Sequence, residues 1–345
     1  MSLQQLPVEL LDDIFQRVLP ADLVSLSRTS SSTYHVARRL LYRHLSVSLP
    51  ARNAGVIIAL AKKPELAHHV RTFAVRLDSS TFFKSFYRHL ATALSNMTEL
   101  ISLELFVDPG ASWVLQGTHH CVFPRLQHLA CSFPLDSHVV NFLGKTEALL
   151  ELEVDGVPSP HSLPMPTLPV ASLPLLHEFK GSSHAATAIV PGRPVQSIHL
   201  NSGDLTGDDI ASLAQSTAHV SILGATTSLL PVPLLQSLTH HLPHLVYLRM
   251  MTTFDFSEAP DAVSLKCCCS SHNVFKQFSQ TFYQHIANAL TSLPNLRAFE
   301  LSGMPWGSSL KTAESERRVW QSEPLTNTAV DTSVDGTLHS NLFLA

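Results

Sequence analysis

Twenty histidines and five cysteines in 345 residues are the first side chains to weigh for chemistry. His68-His69 and His119-His120-Cys121 are adjacent pairs, whereas helical metal ligands are spaced i, i+4 with an acid nearby. Neither an HExxH nor a CxxC occurs. The triplet Cys267-Cys268-Cys269 could hold a soft metal, but no second ligand cluster lies at zinc-finger spacing. The chain has no GxSxG, GxGxxG or GxxxxGK[ST], so the hydrolase, dinucleotide and P-loop readings have no motif behind them. An enzyme that works through a thioester would need a reactive cysteine. Cys131 falls at an inward strand position, which predicts an inert thiol. The residues therefore predict no catalytic site, no metal and no cofactor.

Composition narrows the class further. A formal charge of −4 with 14% charged residues carries no basic stripe, which argues against a nucleic-acid module. The longest compact apolar run, Val56 to Ala61, is far too short to span a bilayer. Glu9, Asp12 and Asp13 interrupt the apolar N-terminal stretch, unlike a signal peptide. Five cysteines, three of them contiguous, make no disulfide framework. The expected location is cytoplasmic or nuclear, with no membrane partner.

The elements that must position any site begin at Leu6. Leu10, Leu11, Ile14, Phe15, Val18 and Leu19 form one stripe of a first helix, with Pro7 expected at its first position and Pro20 ending it. Asp22 opens a second helix carrying Leu23 and Leu26, and Ser30 to Ser32 offer an N-cap for a third with Val36, Ala37, Leu40 and Leu41. Three short helices cannot bury so much leucine and phenylalanine among themselves. Either part of the stripe meets another protein, or the helices form a cap packed entirely on the rest of the chain.

Leu6-Pro7-x-Glu9-Leu10, Ile14-Phe15, Val18-Leu19, Asp22-Leu23 and the exit Leu41-Tyr42-x-x-Leu45 together resemble an F-box. One departure is Thr29 to Tyr34, where many F-boxes carry a Val-Cys pair and a tryptophan. The resemblance implies a three-helix module at 1–46 that docks on a Skp-type adaptor, and through it on a cullin–RING ligase. The residues expected at that contact are Leu6, Pro7, Leu10, Ile14, Phe15, Leu19 and Leu23.

Beyond this module an apolar-x-x-apolar-x-apolar pattern recurs ten times. Its central positions are Leu45, Phe73, Leu103, Leu129, Leu152, Phe179, Ile198, Leu223, Leu248 and Phe299. Successive centres lie 19 to 30 residues apart except the last gap of 51, the period of leucine-rich repeats. Residues 86–105 and 282–301 are identical at nine of twenty positions, each reading helix, turn, strand. Return helices are also expected at Ala51–Ala61, Ser137–Thr146, Thr206–Thr217 and Pro233–Leu242. The fold class is thus α/β: a three-helix module, then an irregular leucine-rich-repeat-like solenoid over 47–305 with one parallel sheet, and an aperiodic, disordered tail at 306–345. A doubly wound α/β domain is the rival, but it wants longer buried strands and a Gly-rich phosphate loop. The proline-dense stretch Pro158 to Pro174 reads as an extended return segment, and Phe254 to Asn273 as a loop insertion.

Strand side chains alternate, so residues between the inward positions face out. That places Glu104, Glu151, Glu153, Asp155 and Glu178 in one acidic strip, with Tyr247 and Arg249 further along as anchors of the kind that dominate binding hot spots. The strip predicts a protein substrate with a basic segment, unless the acids serve only solubility. The F-box resemblance implies a non-catalytic substrate receptor of a ubiquitin ligase; the alternative is an interaction scaffold acting without ubiquitin transfer.

Overall fold

The computed structural model describes residues 6–48, 53–77, 84–118, 121–154, 168–169, 171–252, 280–310 and 318–322. Three N-terminal helices come first: α1 (Val8–Phe15), α2 (Pro20–Leu26) and α3 (Ser31–Arg43). Pro7 is the N-cap of α1, one position earlier than expected, with its extended ψ of 150° leading into the first turn. Pro20 does not end α1, which stops at Phe15; it starts α2, where its missing N–H costs nothing. Ser30 caps α3 through a capping box: its hydroxyl accepts from the Thr33 N–H, and the Thr33 hydroxyl accepts from the Ser30 N–H.

These helices close on a small core of their own. Leu11, Phe15, Leu23, Val36 and Ala37 are buried, with Leu6, Val18, Leu26, Leu40 and Leu41 packed around them. A second, much larger core runs under the rest of the chain and does not merge with the first.

That larger core lies beneath one sheet. Its strands are β1 (His44–Ser48), β2 (Thr72–Arg76), β3 (Ser102–Phe106), β4 (His128–Cys131), β5 (Glu151–Val154) and β6 (Glu178–Ser182), then β7 (Ser197–Ser202), β8 (Ile222–Thr227), β9 (Tyr247–Thr252), β10 (Ala298–Leu301), β11 (Met304–Leu310) and β12 (Arg318–Ser322). They lie in sequence order across the sheet, and β1 to β10 are parallel. All ten central positions of the sequence pattern, from Leu45 to Phe299, pair in a single register. A second inward row runs beside it through Val47, Val75, Leu105, Cys131, Val154 and onward. Gly181 stands in this row because a Cβ there would come within 2.5 Å of the Val154 carbonyl oxygen. Cys131 is buried, as expected for a packed thiol.

Helices return the chain on one face: α4 (Gly55–Lys62), α5 (Pro64–Ala67), α6 (Lys84–Asn96), α7 (Ser137–Leu143), α8 (Ser183–Ile189), α9 (Gly207–Leu213), α10 (Pro231–His241) and α11 (Gln280–Thr291). The crossover from β3 to β4 uses a 3-10 segment, Pro109–Thr118, in place of an α-helix. Packing against the helices leaves the opposite sheet face uncovered among the described residues. Between β6 and β7 the buried Arg193 acts as a clamp. Its guanidinium donates to the carbonyls of Ser172 at 2.9 Å and Pro169 at 2.9 Å and to that of Ile189, near the end of α8. Carbonyl dipoles, not a carboxylate, thus compensate this charge.

The C-terminal expectation needs correction. The chain does not become an aperiodic tail at 306; β11 and β12 continue the sheet, antiparallel. The reversal is a two-residue turn in which Ser302 and Gly303 both have positive φ, 48° and 81°. Tight hairpins that match strand twist need this backbone, and glycine adopts it without a Cβ penalty. Trp306 and Trp320 are buried at this end. His44–Ser48, at the end of the first module, already forms the first strand of the sheet. Most of the proline-dense stretch, the insertion with the cysteine triplet and 323–345 lie outside the described residues.

Candidate functional site: two unlike surfaces

The N-terminal helices divide their apolar residues between two fates. Leu11 and Phe15, four apart on α1, point into the three-helix core with 1% exposure each. Leu10, Ile14 and Leu19 face away, at 49, 42 and 70% exposure, and Val8 and Val24 join them. Pro7 is exposed and Leu6 half-buried. Of the seven residues expected at an adaptor contact, Phe15 and Leu23 are therefore corrected to core residues. The cause is rotation about the helix: positions i and i+1 are about 100° apart, so the Ile14-Phe15 pair cannot share a face. Val8 and Val24 were missed, although both are apolar positions beside the stripe.

The second surface is the uncovered sheet face. One row across it carries Glu104, Ala130, Glu153, Lys180, His199, Gly224, Arg249 and Glu300 in register. The next carries Ser102, His128, Glu151, Glu178, Ser197, Ile222 and Tyr247. Over β3 to β6 the face dips into a groove of about 250 Å³ lined by Glu104, His128, Glu151, Glu153, Glu178 and Lys180.

The described acids of the expected strip line this groove together, and several have a basic side chain beside them. Glu104 meets Arg76 at 2.8 Å, His128 lies 3.1 Å from Glu151, and Lys180 donates to Glu178 at 2.9 Å. Burial pushes the Lys180 ammonium down, but its hydrogen bond to Glu178 and the charges of Glu178, Glu153 and Glu151 outweigh that and hold it above its ordinary value. Lys180 and Glu178 lie on the same strand, and Glu178 stands directly opposite Glu151, so this ammonium offsets the repulsion between two carboxylates on neighbouring strands. Asp155 lies outside the described residues.

Tyr247 and Arg249 sit where the alternation places them, and both engage one acid. The Arg249 Nε is 3.1 Å from Glu300, and the Tyr247 hydroxyl donates to the same carboxylate at 3.4 Å. Burial raises the Tyr247 phenol above its usual range, and Glu300 adds to that. Glu300 was missed from sequence, as were Arg76, His128 and Lys180. The signal was present: each occupies an outward position of the repeating pattern.

Between the groove and this trio, Ser197 and His199 are buried on a face otherwise open to water. Their side chains hydrogen-bond to each other at 3.1 Å. Gly224 leaves the space, since a Cβ there would stand 3.2 Å from the imidazole. Burial pushes His199 below its usual pKa, Glu178 opposes the shift, and Lys180 and Arg249 add to it. Among the described residues, no group of three or more histidine, cysteine, aspartate or glutamate side chains is arranged to hold a metal ion. No helix of the described residues is long and apolar enough to cross a membrane.

Comparison with known proteins bears on the first surface. No curated protein matches the sequence. A solved structure, the Rad7 and Elc1 complex in yeast, shares 13% identity, covers 73% of this chain and 89% of its own, and superposes with a TM-score of 0.33. The F-box-like family model matches residues 3–48. That span encloses all three N-terminal helices and their exposed apolar row, and the N-terminal module of this chain is an F-box-like domain.

Proposed function

We propose that this chain is a non-catalytic substrate receptor of a Skp–cullin–F-box type ubiquitin ligase. The observation that carries the reading is the split of the N-terminal stripe. Leu11, Phe15 and Leu23 complete the module's own core, while Leu10, Ile14 and Leu19 remain uncovered beside Leu6 and Pro7. A surface of this kind marks a protein contact, and the F-box-like match supports a Skp-type adaptor as the partner. A cullin and a RING subunit would join through that adaptor.

The sheet body is read as an irregular leucine-rich-repeat-like solenoid that holds the substrate. Parallel strands in sequence order with return helices on one side support this, because each unit buries its apolar face only against its neighbours. The substrate would lie on the uncovered face, over the groove of β3 to β6, with Tyr247, Arg249 and Glu300 as a preset polar contact. Five carboxylates there (Glu104, Glu151, Glu153, Glu178 and Glu300) oppose three permanent cations (Arg76, Lys180 and Arg249), an imbalance that favours a substrate segment with basic residues. The receptor would contribute proximity, placing a substrate lysine near a charged conjugating enzyme. Such a role fits the cytoplasm or nucleus.

The test is co-purification of a Skp-type adaptor with the full chain and with Leu10→Ala/Leu19→Ala. Loss of the adaptor with an unchanged unfolding temperature is the expected result; retention at wild-type level refutes the docking reading. A reconstituted ubiquitination assay with the assembled complex then separates a ligase receptor from a scaffold.

A further inference from the structure

A third surface lies where the F-box-like domain meets the sheet. Arg38, Arg39 and Arg43 project from α3, His69 and Arg71 come from the turn entering β2, and Arg125 from the approach to β4. Backbone pairing fixes the junction: the Arg71 N–H donates to the Arg43 carbonyl at 2.8 Å. Arg71 also donates to the His68 carbonyl at 3.0 Å, so its guanidinium is held in place.

Two carboxylates serve this group. Asp12 takes Arg39 at 2.7 Å, and Glu99 is shared between Arg71 at 3.5 Å and Arg125 at 3.2 Å. No carboxylate of the described residues reaches Arg38 or Arg43. The Arg38 guanidinium lies over the Tyr34 ring at 5.2 Å, and the Nε atoms of Arg38 and Arg43 are themselves buried, which leaves the outer ends of these half-buried side chains to meet a partner. Burial pushes the His69 imidazole below its ordinary range, and Arg38, His68, Arg39 and Arg71 push it further. A chain of net charge −4 therefore concentrates positive charge in one place.

We infer that this junction is a docking surface for an acidic, Asp/Glu-rich segment of a protein partner. Charge complementarity supplies the attraction, and guanidinium groups fit carboxylates in fork geometry. A nucleic acid fits less well. The same domain exposes Leu10, Ile14 and Leu19, an apolar neighbourhood that suits a protein chain and not a phosphodiester backbone. The inference does not depend on the adaptor contact, which uses the apolar row.

The experiment is fluorescence anisotropy of a fluorescein-labelled octapeptide of alternating Asp and Glu, titrated with the full chain at low and at high salt. Binding should weaken as salt rises, and Arg38→Gln/Arg43→Gln should weaken it about tenfold, as loss of close charge pairs does. Arg125→Gln, on a different element, should weaken it in the same direction, which covers the case where the double variant unfolds. Arg297→Gln, an exposed arginine near the other end of the sheet, should change nothing. Co-purification of the adaptor should persist in all three variants. Peptide binding that ignores both Arg125→Gln and salt overturns the inference, and so does a short DNA duplex that binds more tightly than the peptide.

Discussion

The F-box-like domain and the sheet body solve the same burial problem in opposite ways. Among the described residues the domain has five buried apolar side chains in a core shared by three short helices, and it leaves a comparable set of aliphatic side chains in water. The sheet body repeats one unit until nearly every inward position is buried, and its uncovered face is polar. A module too small to complete its core has apolar area left over for a partner. A sheet whose strand–helix units complete one another's core has little apolar area left over, and its uncovered face is free to be polar.

The largest effects should come from breaking each core. Phe15→Ala should cost about 3–5 kcal/mol and unfold the F-box-like domain, whereas Leu10→Ala on the same helix should change stability by about 0.5 kcal/mol or less. Chemical denaturation of both variants checks the contrast; equal losses would mean that Leu10 is not the exposed residue. In the sheet body, Leu103→Ala or Leu248→Ala should cost about 2–5 kcal/mol. Hydrogen exchange should show protection falling first in the neighbouring repeats, since each strand depends on the next.

Arg193 gives a smaller effect with a different origin. Arg193→Met keeps most of the packing but leaves the carbonyls of Ser172, Pro169 and Ile189 short of a donor, a loss of about 1–3 kcal/mol. A stable Arg193→Met variant would show that water replaces the clamp.

His199 should make the sheet body sensitive to acid. Its folded pKa is depressed below the ordinary 6.5, so below 6.5 the unfolded chain binds more protons than the folded one. Stability is then fully present above pH 6.5 and falls as the pH drops from there toward the depressed value. Thermal melts between neutral pH and pH 5 should show this decline, and His199→Gln should flatten it. An identical slope in the variant would assign the decline to other groups.

The smallest change in stability should follow Glu151→Lys/Glu153→Lys. Exposed ion pairs contribute about 0–1 kcal/mol, so unfolding should barely move. Association with a basic substrate segment should slow markedly at low salt and little at high salt. Salt-independent association in this variant would remove the groove from the substrate contact.

Much of the body was legible in the sequence because its signal is local and repeated. A strand needs its inward residue every second position, and ten copies of one pattern leave little freedom in register. The duplicated helices, α6 and α11, were visible for the same reason. The hairpin after β10 was missed although Ser302-Gly303 is a turn dipeptide, since a strand pair that departs from the repeat carries no periodic signal. On the exposed apolar side of the F-box-like domain the residue types were legible but not their direction. A stripe of six apolar residues spans more than one face of a helix, and only packing against α2 and α3 decides which part turns inward.

The sequence by itself determined the order of the parallel strands, the rows of residues that line the core and the presence of an F-box-like domain at the N-terminus. Each follows from side-chain periodicity or from a short ordered motif, properties of neighbouring residues along the chain. Tertiary structure alone decided that Phe15 and Leu23 are core, that the acidic row is partly paired by Arg76 and Lys180, and that Tyr247 and Arg249 share Glu300. It also gathered the arginines of α3 against Arg71 and Arg125. Most of these outcomes depend on which side chains meet across strands and helices far apart in the chain: Arg76 and Glu104 are 28 residues apart, and Arg249 and Glu300 are 51. Charge pairing over such distances is set by register and packing, and no local pattern encodes it.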